Sequence, residues 1–217
     1  MIHVVTGENK KLYARELDAQ ALARHQVFVE ERKWEDLARA DKRERDQFDT
    51  DRTIYFLAID DERVVGGSRL VETEGPHMLS EVFPQLASVQ GVPSSPDVYE
   101  WSRIWVARDR RASGGILHRL FAGILEFCLD EEIHSLTGVV EIWALPFFSE
   151  LGWIVQPLGL PQLIANSWTL GVRLDVSQKP LQCIYDRRRI AGPVLVRRNL
   201  PRQLISARTE EGLRSSG

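Results

Sequence analysis

The stretch Val98-Tyr99-Glu100-Trp101-Ser102-Arg103-Ile104-Trp105-Val106 decides the fold. Its aromatic and β-branched residues predict a strand, and its apolar character favours a position in the middle of a sheet. Glu100 and Arg103 stand out, because a buried charge is costly unless it is paired or functional. An internal ion pair is one explanation, but a regular strand places these two side chains on opposite faces. A shared cleft therefore requires a break in strand pairing between about residues 100 and 106.

The segments on either side of this strand predict both helices and strands. Residues 54–59 and 64–71 flank a polar turn and predict a β-hairpin, in which Gly66-Gly67 indicates a bulge or a close backbone approach. An apolar stripe predicts a helix from about 116 to 131, and residues 136–142 predict the next strand. The tight hairpin argues against a doubly wound nucleotide-binding fold, whose strands are joined by helical crossovers.

The predicted fold is α/β, a three-layer α/β/α sandwich around a mixed, mostly antiparallel sheet, in a single domain covering residues 1–217. A first helix, from about 10 to 29, places Arg24 on its apolar face, where an arginine needs a partner or a ligand. Charged residues dominate 30–52, which holds few large apolar side chains and is expected to be a mobile lid. The polar residues 202–217 are expected to be a frayed tail.

Composition and missing motifs exclude several classes of protein. The chain has 28 Lys+Arg and 31 Asp+Glu, and the net charge of −3 argues against a nucleic-acid partner. No apolar run approaches the roughly 18 residues of a membrane span and no secretion signal is evident, so we expect a cytoplasmic protein without a membrane partner. Cys128 and Cys183 are isolated and the histidines lack ligand spacing, which argues against metal. Hydrolase triads, Walker loops and HExxH motifs are absent.

Two groups of residues in the first quarter of the chain suggest ligand binding. Arg24, Phe28 and Trp34 suit a ligand that carries both a carboxylate and a cation. The structural alternative is that Phe28 and Trp34 are core residues and that Arg24 extends its charged end to solvent. For these three residues taken alone, this alternative is favoured. Asp46 and Asp49 flank an aromatic residue, and a solvated run of charges is the structural alternative.

Three further groups lie in or near the predicted sheet. Arg69 follows the glycine pair of the hairpin, where a charge that protects a strand edge is the alternative. Glu100 and Arg103 form the strongest single indication of function, for the reasons given above. The run Arg111-Ala112-Ser113-Gly114-Gly115 opens a predicted helix, where backbone N–H groups can cradle a phosphate, although the motif is weak.

Together these residues resemble the acyl-homoserine-lactone synthases, the autoinducer synthases of bacterial quorum sensing. The residues that match in type, order and spacing are Arg24, Phe28, Trp34, Asp46, Asp49, Arg69, Phe83, Glu100 and Arg103. The phrases Trp143-Ala144-Leu145-Pro146, Gly152-Trp153 and Pro157-Leu158-Gly159-Leu160-Pro161-Gln162 resemble the branch of the family that uses acyl-CoA with aryl or short branched acyl groups.

The resemblance implies a fold related to the N-acetyltransferases and an acyltransferase activity. S-adenosylmethionine is then the amine substrate, an acyl thioester is the donor, with acyl-CoA favoured over acyl-carrier protein, and no cofactor is needed. The product is an acyl-homoserine lactone, released with methylthioadenosine. An acetyltransferase-like enzyme acting on another amine and a catalytically silent sensor of an acyl ligand remain as alternatives.

The resemblance and the chemistry also suggest roles for residues. Glu100 is the candidate base, and Arg103, Asp46 and Asp49 complete the catalytic group. Candidates for binding S-adenosylmethionine are Arg24, Phe28, Trp34, Arg69 and Arg103. The candidate acyl pocket comprises Phe83, Trp101, Trp105, Trp143, Phe147 and Phe148, which favour a compact branched or aromatic acyl group. The candidates for binding the donor's phosphates or a carrier protein are Arg111, Gly114 and Gly115. The basic run Arg187-Arg188-Arg189 is a further candidate for this role.

Overall fold

The computed structural model describes residues 1–112 and 115–205, whose strands form one sheet. The strands are β1 (Ile2–Val5), β2 (Ile54–Asp60), β3 (Arg63–Glu72), β4 (Val98–Val106), β5 (Ser135–Glu141), β6 (Val155–Pro157), β7 (Gln162–Ile164), β8 (Ser167–Asp175) and β9 (Leu195–Val196). The helices are α1 (Ala14–Arg24), α2 (Met78–Glu81), α3 (Gly115–Asp130), α4 (Leu145–Glu150) and α5 (Gln178–Arg188). A π-helix (His25–Glu31) continues directly from α1.

The sheet has the strand order β6-β8-β5-β4-β3-β2-β1-β9, and β7 pairs with β8. The pairs β4–β5 and β1–β9 are parallel, and the other pairs are antiparallel. This arrangement confirms the prediction of a mixed, mostly antiparallel sheet with β4 near its centre. The predicted hairpin is β2–β3, and the predicted helix after the glycine turn is α3.

Helices cover both faces of the sheet. On one face, the π-helix packs Val27 and Phe28 into a small cluster with Trp105. On the other face, Phe121 of α3 and Phe148 of α4 pack against Trp101 in the main core. The α/β fold with helices on both faces of the sheet is therefore confirmed. None of the helices in residues 1–112 and 115–205 combines the length and apolar character of a membrane-crossing segment.

The pairing of β4 breaks where the sequence predicts it. Trp105 lies opposite Gly67 while Ser102 lies opposite Arg69, so two residues of β4 face the single residue Ser68. One of the two is Arg103, with a φ of 53° in the left-handed region. Such a β-bulge shifts the alternation of side chains by one position. The predicted break is confirmed, and it explains how side chains three apart in sequence reach one side of the sheet.

The parallel pairing of β4 with β5 stops early. The last paired residues are Glu100 and Thr137, although β4 continues to Val106 and β5 to Glu141. The two central strands therefore diverge just beyond Glu100. The sheet has an opening between the second half of β4 and the end of β5.

Some elements differ from the sequence-based expectations. The first helix ends in a π-helix, and β1, β9 and α5 were not predicted from the sequence. The first residues of the expected frayed tail, 202–217, also make defined contacts. Leu204 is buried, and the backbone N–H groups of Leu204 and Ile205 donate hydrogen bonds to the carboxylate of Glu131. Residues 206–217 of that tail lie outside the described part of the chain.

A close backbone contact holds the segment that follows α2 in place. A Cβ built on Gly159 would lie 2.5 Å from the carbonyl oxygen of Leu86, too close for any side chain. We predict that Gly159→Ala lowers the free energy of unfolding by about 1–3 kcal/mol, because the backbone must move to relieve the clash. Urea denaturation measures the change.

Gly75→Ala is the matched control, because no atom lies within 4 Å of its added methyl group. It should change stability by less than about 0.5 kcal/mol. Equal stability of the Gly159→Ala and Gly75→Ala variants would show that the contact at Leu86 does not constrain this segment.

Candidate active site

Six charged side chains from four parts of the chain meet on the α1 face of the sheet. The positive members are Arg24 of α1, Arg69 of β3 and Arg103 of β4, and the negative members are Glu44, Asp46 and Asp49 of the segment 30–52. We call these six residues the charge cluster. No member has more than 10% of its side chain exposed. Three positive and three negative charges give the cluster a formal charge of zero.

The hydrogen bonds of the cluster use planar guanidinium-carboxylate pairs. Arg24 donates to both oxygens of Asp49, at 2.8 and 3.0 Å, and its Nε binds Glu44. Arg69 donates to both oxygens of Asp46, at 2.7 and 2.8 Å. Such two-point pairs fix orientation as well as charge, so the cluster is a rigid unit.

Arg103 completes the cluster and differs from the other two arginines. Its Nη2 lies 3.0 Å from Glu44 and 2.9 Å from Asp46. Within residues 1–112 and 115–205, its Nη1 contacts only the weak acceptor Sδ of Met78, at 3.7 Å. Arg103 therefore has a guanidinium nitrogen without a strong acceptor, whereas the terminal nitrogens of Arg24 and Arg69 all bind carboxylates.

The positive charges of the cluster keep Asp46 and Asp49 ionised. Burial alone would raise the pKa of Asp49, but the charges of Arg24 and Arg69 outweigh it and hold that pKa well below its usual range. The pKa of Asp46 is lowered in the same way by Arg69 and Arg103 against the effect of burial. Asp46 and Asp49 are therefore ionised at neutral pH.

The cluster shows how the segment 30–52 is attached to the rest of the chain. The segment has few apolar side chains, as the sequence indicates, and charged contacts attach it to the sheet and to α1. Phe48 is buried, and three carboxylates of the segment bind buried arginines of α1, β3 and β4. That the segment moves as a lid stays a prediction.

Glu100 lies beside the cluster, at the point where β4 and β5 diverge. It is fully buried, and its two oxygens accept hydrogen bonds from the backbone N–H groups of Met78, at 3.0 Å, and Leu79, at 2.6 Å, in the first turn of α2. Burial raises the pKa of Glu100 above its usual range, although the two N–H groups oppose the shift. A carboxylate with raised proton affinity suits a general base.

Two of the predicted aromatic residues stack beside the cluster. The rings of Phe28 and Trp34 are 5.3 Å apart and nearly parallel, with an interplanar angle of 10°. The guanidinium of Arg103 lies 5.6 Å from the centre of the Phe28 ring. An aromatic face next to a free guanidinium N–H matches a ligand that carries a cationic or planar group and a carboxylate.

The structure does not bring the six candidate acyl-pocket residues together. Trp101, Phe147 and Phe148 belong to one aromatic cluster with Phe121 on the α3 face. Trp105 lies on the opposite face, because the bulge at Arg103 reverses the alternation of β4.

The other two residues lie elsewhere. Trp143 is 70% exposed, since it follows the end of β5. Phe83 packs partly buried against Leu79 and Leu86. Of the six candidates, Trp101, Phe147 and Phe148 pack together, in the α3-face cluster.

The candidate phosphate residues lie after β4. Arg111 donates from Nε to the carbonyl oxygen of Val106, at 2.8 Å, and from Nη1 to Glu31, at 2.7 Å. Gly115 begins α3, and Gly114 lies outside the described residues. Arg188 approaches His118 of α3 at 3.4 Å, which brings the basic end of α5 near the start of that helix.

Several members of the site were not predicted from the sequence. Glu44 bridges Arg24 and Arg103, and its place two residues before Asp46 in a run of alternating charges was the available indication. Tyr55 donates from its hydroxyl to Asp49, at 2.9 Å, and the sequence offers no sign of this contact. No group of His, Cys, Asp and Glu in residues 1–112 and 115–205 is arranged to hold a metal ion.

The buried carboxylates predict a pH dependence of stability. Because folding lowers the pKa of Asp49, the cluster stabilises the fold above the ordinary carboxyl range near pH 4, and this contribution is lost as pH falls toward the folded-state pKa. Asp49→Asn leaves Arg24 and Arg69 short of one charge partner. We expect it to lower the free energy of unfolding at pH 7 by about 3–5 kcal/mol and to reduce the loss of stability in acid.

Urea denaturation at pH 7 and at pH 3.5 tests both parts. The control is Asp51→Asn, which removes the same charge from a residue whose side chain is 80% exposed. Equal effects of the two substitutions would contradict this description of the cluster.

Comparison with known proteins agrees with the geometry of the site. The isovaleryl-homoserine lactone synthase of Bradyrhizobium diazoefficiens is 46% identical over 202 residues, which cover 93% of this chain and 91% of that protein. The solved structure of BjaI, a CoA-dependent acyl-homoserine lactone synthase with SAM and isopentyl-CoA, superposes with a TM-score of 0.91 at 44% identity and covers 97% of this chain and 99% of that one.

A more distant likeness concerns the fold alone. An acyl-CoA N-acyltransferase from Pseudomonas aeruginosa matches with a TM-score of 0.55 at 15% identity, over 80% of this chain and 97% of that one. The expected relation to the N-acetyltransferase fold is therefore confirmed. The model of the autoinducer synthase family matches residues 8–184. With these matches, the chain belongs to the autoinducer synthase family and is an acyltransferase of the acyl-homoserine-lactone synthase type.

Proposed function

We propose that this synthase transfers a short branched acyl group from coenzyme A to the amine of S-adenosylmethionine and closes the homoserine lactone. The observation that carries this proposal is the buried carboxylate of Glu100 beside a neutral charge cluster, at the opening between β4 and β5. The identity of 46% to an isovaleryl-homoserine lactone synthase supports the branched acyl group. The two ligands of the solved BjaI structure, SAM and isopentyl-CoA, support the two substrates.

S-adenosylmethionine presents a carboxylate, an ammonium group, a sulfonium and an adenine. We assign its carboxylate to the free Nη1 of Arg103, and its sulfonium or adenine to the stacked rings of Phe28 and Trp34. Arg24 and Arg69 were also candidates for the carboxylate, but their terminal nitrogens already bind Asp49 and Asp46. The role best supported for these four residues is therefore to hold Arg103 and the segment 30–52 in place.

The ammonium group must lose a proton before it can attack a thioester. Glu100 accepts that proton, directly or through a water molecule, because each oxygen has a second lone pair beyond the one used by Met78 or Leu79. The raised pKa of Glu100 brings its proton affinity closer to that of the amine. Once protonated, the carboxyl group is neutral, which favours its buried state.

Acyl transfer and lactone closure then follow. The amine nitrogen forms a bond to the thioester carbonyl carbon and the carbon-sulfur bond breaks. The nitrogen loses its proton and the departing sulfur gains one, so coenzyme A leaves as the thiol. Backbone N–H groups of β4 beyond Glu100, which no longer pair with β5, are available for the oxyanion. The carboxylate of the same molecule next attacks its own Cγ, the bond from Cγ to the sulfonium breaks, and methylthioadenosine departs. This second step is intramolecular and depends mainly on positioning.

The first prediction concerns the base. Glu100→Gln keeps the size of the side chain but cannot accept the proton, so kcat should fall by about a hundredfold or more. The dissociation constant for S-adenosylmethionine should change by less than about threefold, because its carboxylate binds Arg103 and this contact does not involve Glu100. Lactone formation measured by mass spectrometry and binding measured by calorimetry test the two parts.

The matched control is Glu74→Gln, which removes a carboxylate from an exposed position. Its turnover should equal that of the unsubstituted chain. Near-normal turnover of Glu100→Gln at neutral pH would remove Glu100 from the chemical step.

The second prediction concerns the donor. A 3-oxo acyl chain is best held by a nearby hydroxyl, but Val139 and Val140 offer none, and the hydroxyl of Thr137 already donates to the carbonyl of Val172 at 3.0 Å. The rings of Trp101, Phe147 and Phe148 lie on the α3 side of the opening. We infer that these bulky rings limit the length of the acyl chain that fits there. We expect kcat/KM to be at least tenfold higher for isovaleryl-CoA than for hexanoyl-CoA or 3-oxohexanoyl-CoA, a difference of about 1.4 kcal/mol.

The same assay includes cinnamoyl-CoA and each acyl group on acyl-carrier protein. Preference for a linear or 3-oxo acyl group on carrier protein would contradict the proposed donor and leave the synthase activity intact. Formation of a different acyl amide with these donors and a panel of amines would favour the alternative of another amine acceptor. Binding without any product would favour the acyl-ligand sensor.

A further inference from the structure

The end of the π-helix is tied to both sides of the opening in the sheet. Glu31 pairs with Nη1 of Arg111 at 2.7 Å, and Arg32 pairs with Glu141. We call these two ion pairs the ionic strap. They start from adjacent residues and reach the turn after β4 and the last residue of β5.

The partners of the strap mark the two edges of the opening. Arg111 is fixed to the end of β4, because its Nε donates to the carbonyl of Val106 at 2.8 Å. Glu141 is the last residue of β5. Since β4 and β5 stop pairing at Glu100 and Thr137, the strap spans the gap between their far ends. A thioester that enters the opening from this end passes the strap.

The strap also contacts the aromatic pair assigned to S-adenosylmethionine. The guanidinium of Arg32 lies 5.0 Å from the centre of the Trp34 ring, which stacks on Phe28. The backbone N–H of Trp34 donates to the carbonyl of Phe28 in the π-helix, at 2.9 Å. Movement of Arg32 in the strap therefore affects Trp34 directly, and Trp34 is part of the proposed site for S-adenosylmethionine.

We propose that the ionic strap gates the entry of the acyl donor, and that a phosphate of coenzyme A opens it by displacing Glu31 from Arg111. This inference rests on the proposed function, because it takes coenzyme A as the donor carrier. In the free protein the Glu31 carboxylate pairs with the Arg111 guanidinium, the group to which a donor phosphate binds. Arg32 and Glu141 hold the other end until the donor is seated.

The energetics fit a strap that opens readily. The side chains of Arg111 and Glu31 are 42% and 23% exposed, so water and salt weaken their attraction. A phosphate bears more charge than a carboxylate and presents several acceptor oxygens, so it competes well for the guanidinium. The carboxylate nevertheless lowers the apparent affinity for the donor, because binding must first displace it.

The test is the affinity for free coenzyme A, measured by calorimetry on the full chain. Glu31→Gln should lower the dissociation constant by about 1.4- to fivefold, since an exposed ion pair is worth about 0.2–1 kcal/mol. Arg111→Gln should raise it. In the Arg111→Gln background, Glu31→Gln should have no further effect, because the contested cation is gone. A contact that merely supports the fold would not make binding tighter when it is removed.

Glu30→Gln is the matched control. It removes the same charge from the adjacent residue, whose carboxylate pairs with His25 at 3.6 Å. It should leave the affinity for coenzyme A unchanged. An equal gain in Glu30→Gln, or a gain from Glu31→Gln that persists without Arg111, would mean that general repulsion of an anion is responsible and would overturn the proposal.

Two outcomes separate this inference from the proposed function. Formation of acyl-homoserine lactone from acyl-CoA, together with unchanged coenzyme A affinity in Glu31→Gln, would overturn the strap and retain the synthase. Tighter coenzyme A binding in Glu31→Gln without lactone formation by the unsubstituted chain would support the strap and overturn the synthase. Absence of any coenzyme A binding would overturn the strap.

Discussion

The mutual neutralisation of six buried charges is the constraint on which the rest of the site depends. Three arginines from α1, β3 and β4 can stay buried only because Glu44, Asp46 and Asp49 pair with them. The pairing in turn holds the segment 30–52, which is too polar to be held by a hydrophobic core. The charges therefore fold a polar segment over the sheet and fix the orientation of Arg103.

The bulge in β4 gives this arrangement its chemical use. Without the extra residue opposite Ser68, Arg103 would point to the α3 face, away from Glu100. With it, a carboxylate of raised pKa and a guanidinium with a free N–H lie on one side of the sheet, next to the opening. Beyond the bulge, β4 and β5 separate, and the aromatic cluster on the α3 side borders the gap. One backbone irregularity thus shapes both the proposed site for S-adenosylmethionine and the opening proposed for the acyl donor.

Local patterns in the sequence predicted the elements that depend on neighbours along the chain. The hairpin, α3, the central strand and the break within it all follow from periodicity, turn residues and the misplaced charges of one nine-residue strand. The position of Arg24 on an apolar face correctly required a partner. The family resemblance added the fold relation and the type of reaction, both of which the comparisons confirm.

What the sequence could not show depends on contacts between distant segments. Asp46 and Asp49 were expected to complete the catalytic group, but in the structure they bind arginines, because only the folded chain shows which carboxylates lie against those guanidinium groups. Trp101 and Trp105 were expected to line one pocket, but the bulge places them on opposite faces. Glu31 had no assigned role, since nothing local links it to Arg111, 80 residues away.

The central claim is that Arg103 is the arginine left free for the carboxylate of S-adenosylmethionine. The direct measurement compares Arg103→Lys with the unsubstituted chain in the binding of S-adenosylmethionine and of its decarboxylated analogue. Lysine keeps the positive charge beside Glu44 and Asp46 but loses the planar fork. We predict at least tenfold weaker binding of S-adenosylmethionine and no change for the analogue. Equal weakening of both ligands, or unchanged binding of S-adenosylmethionine, would contradict the claim.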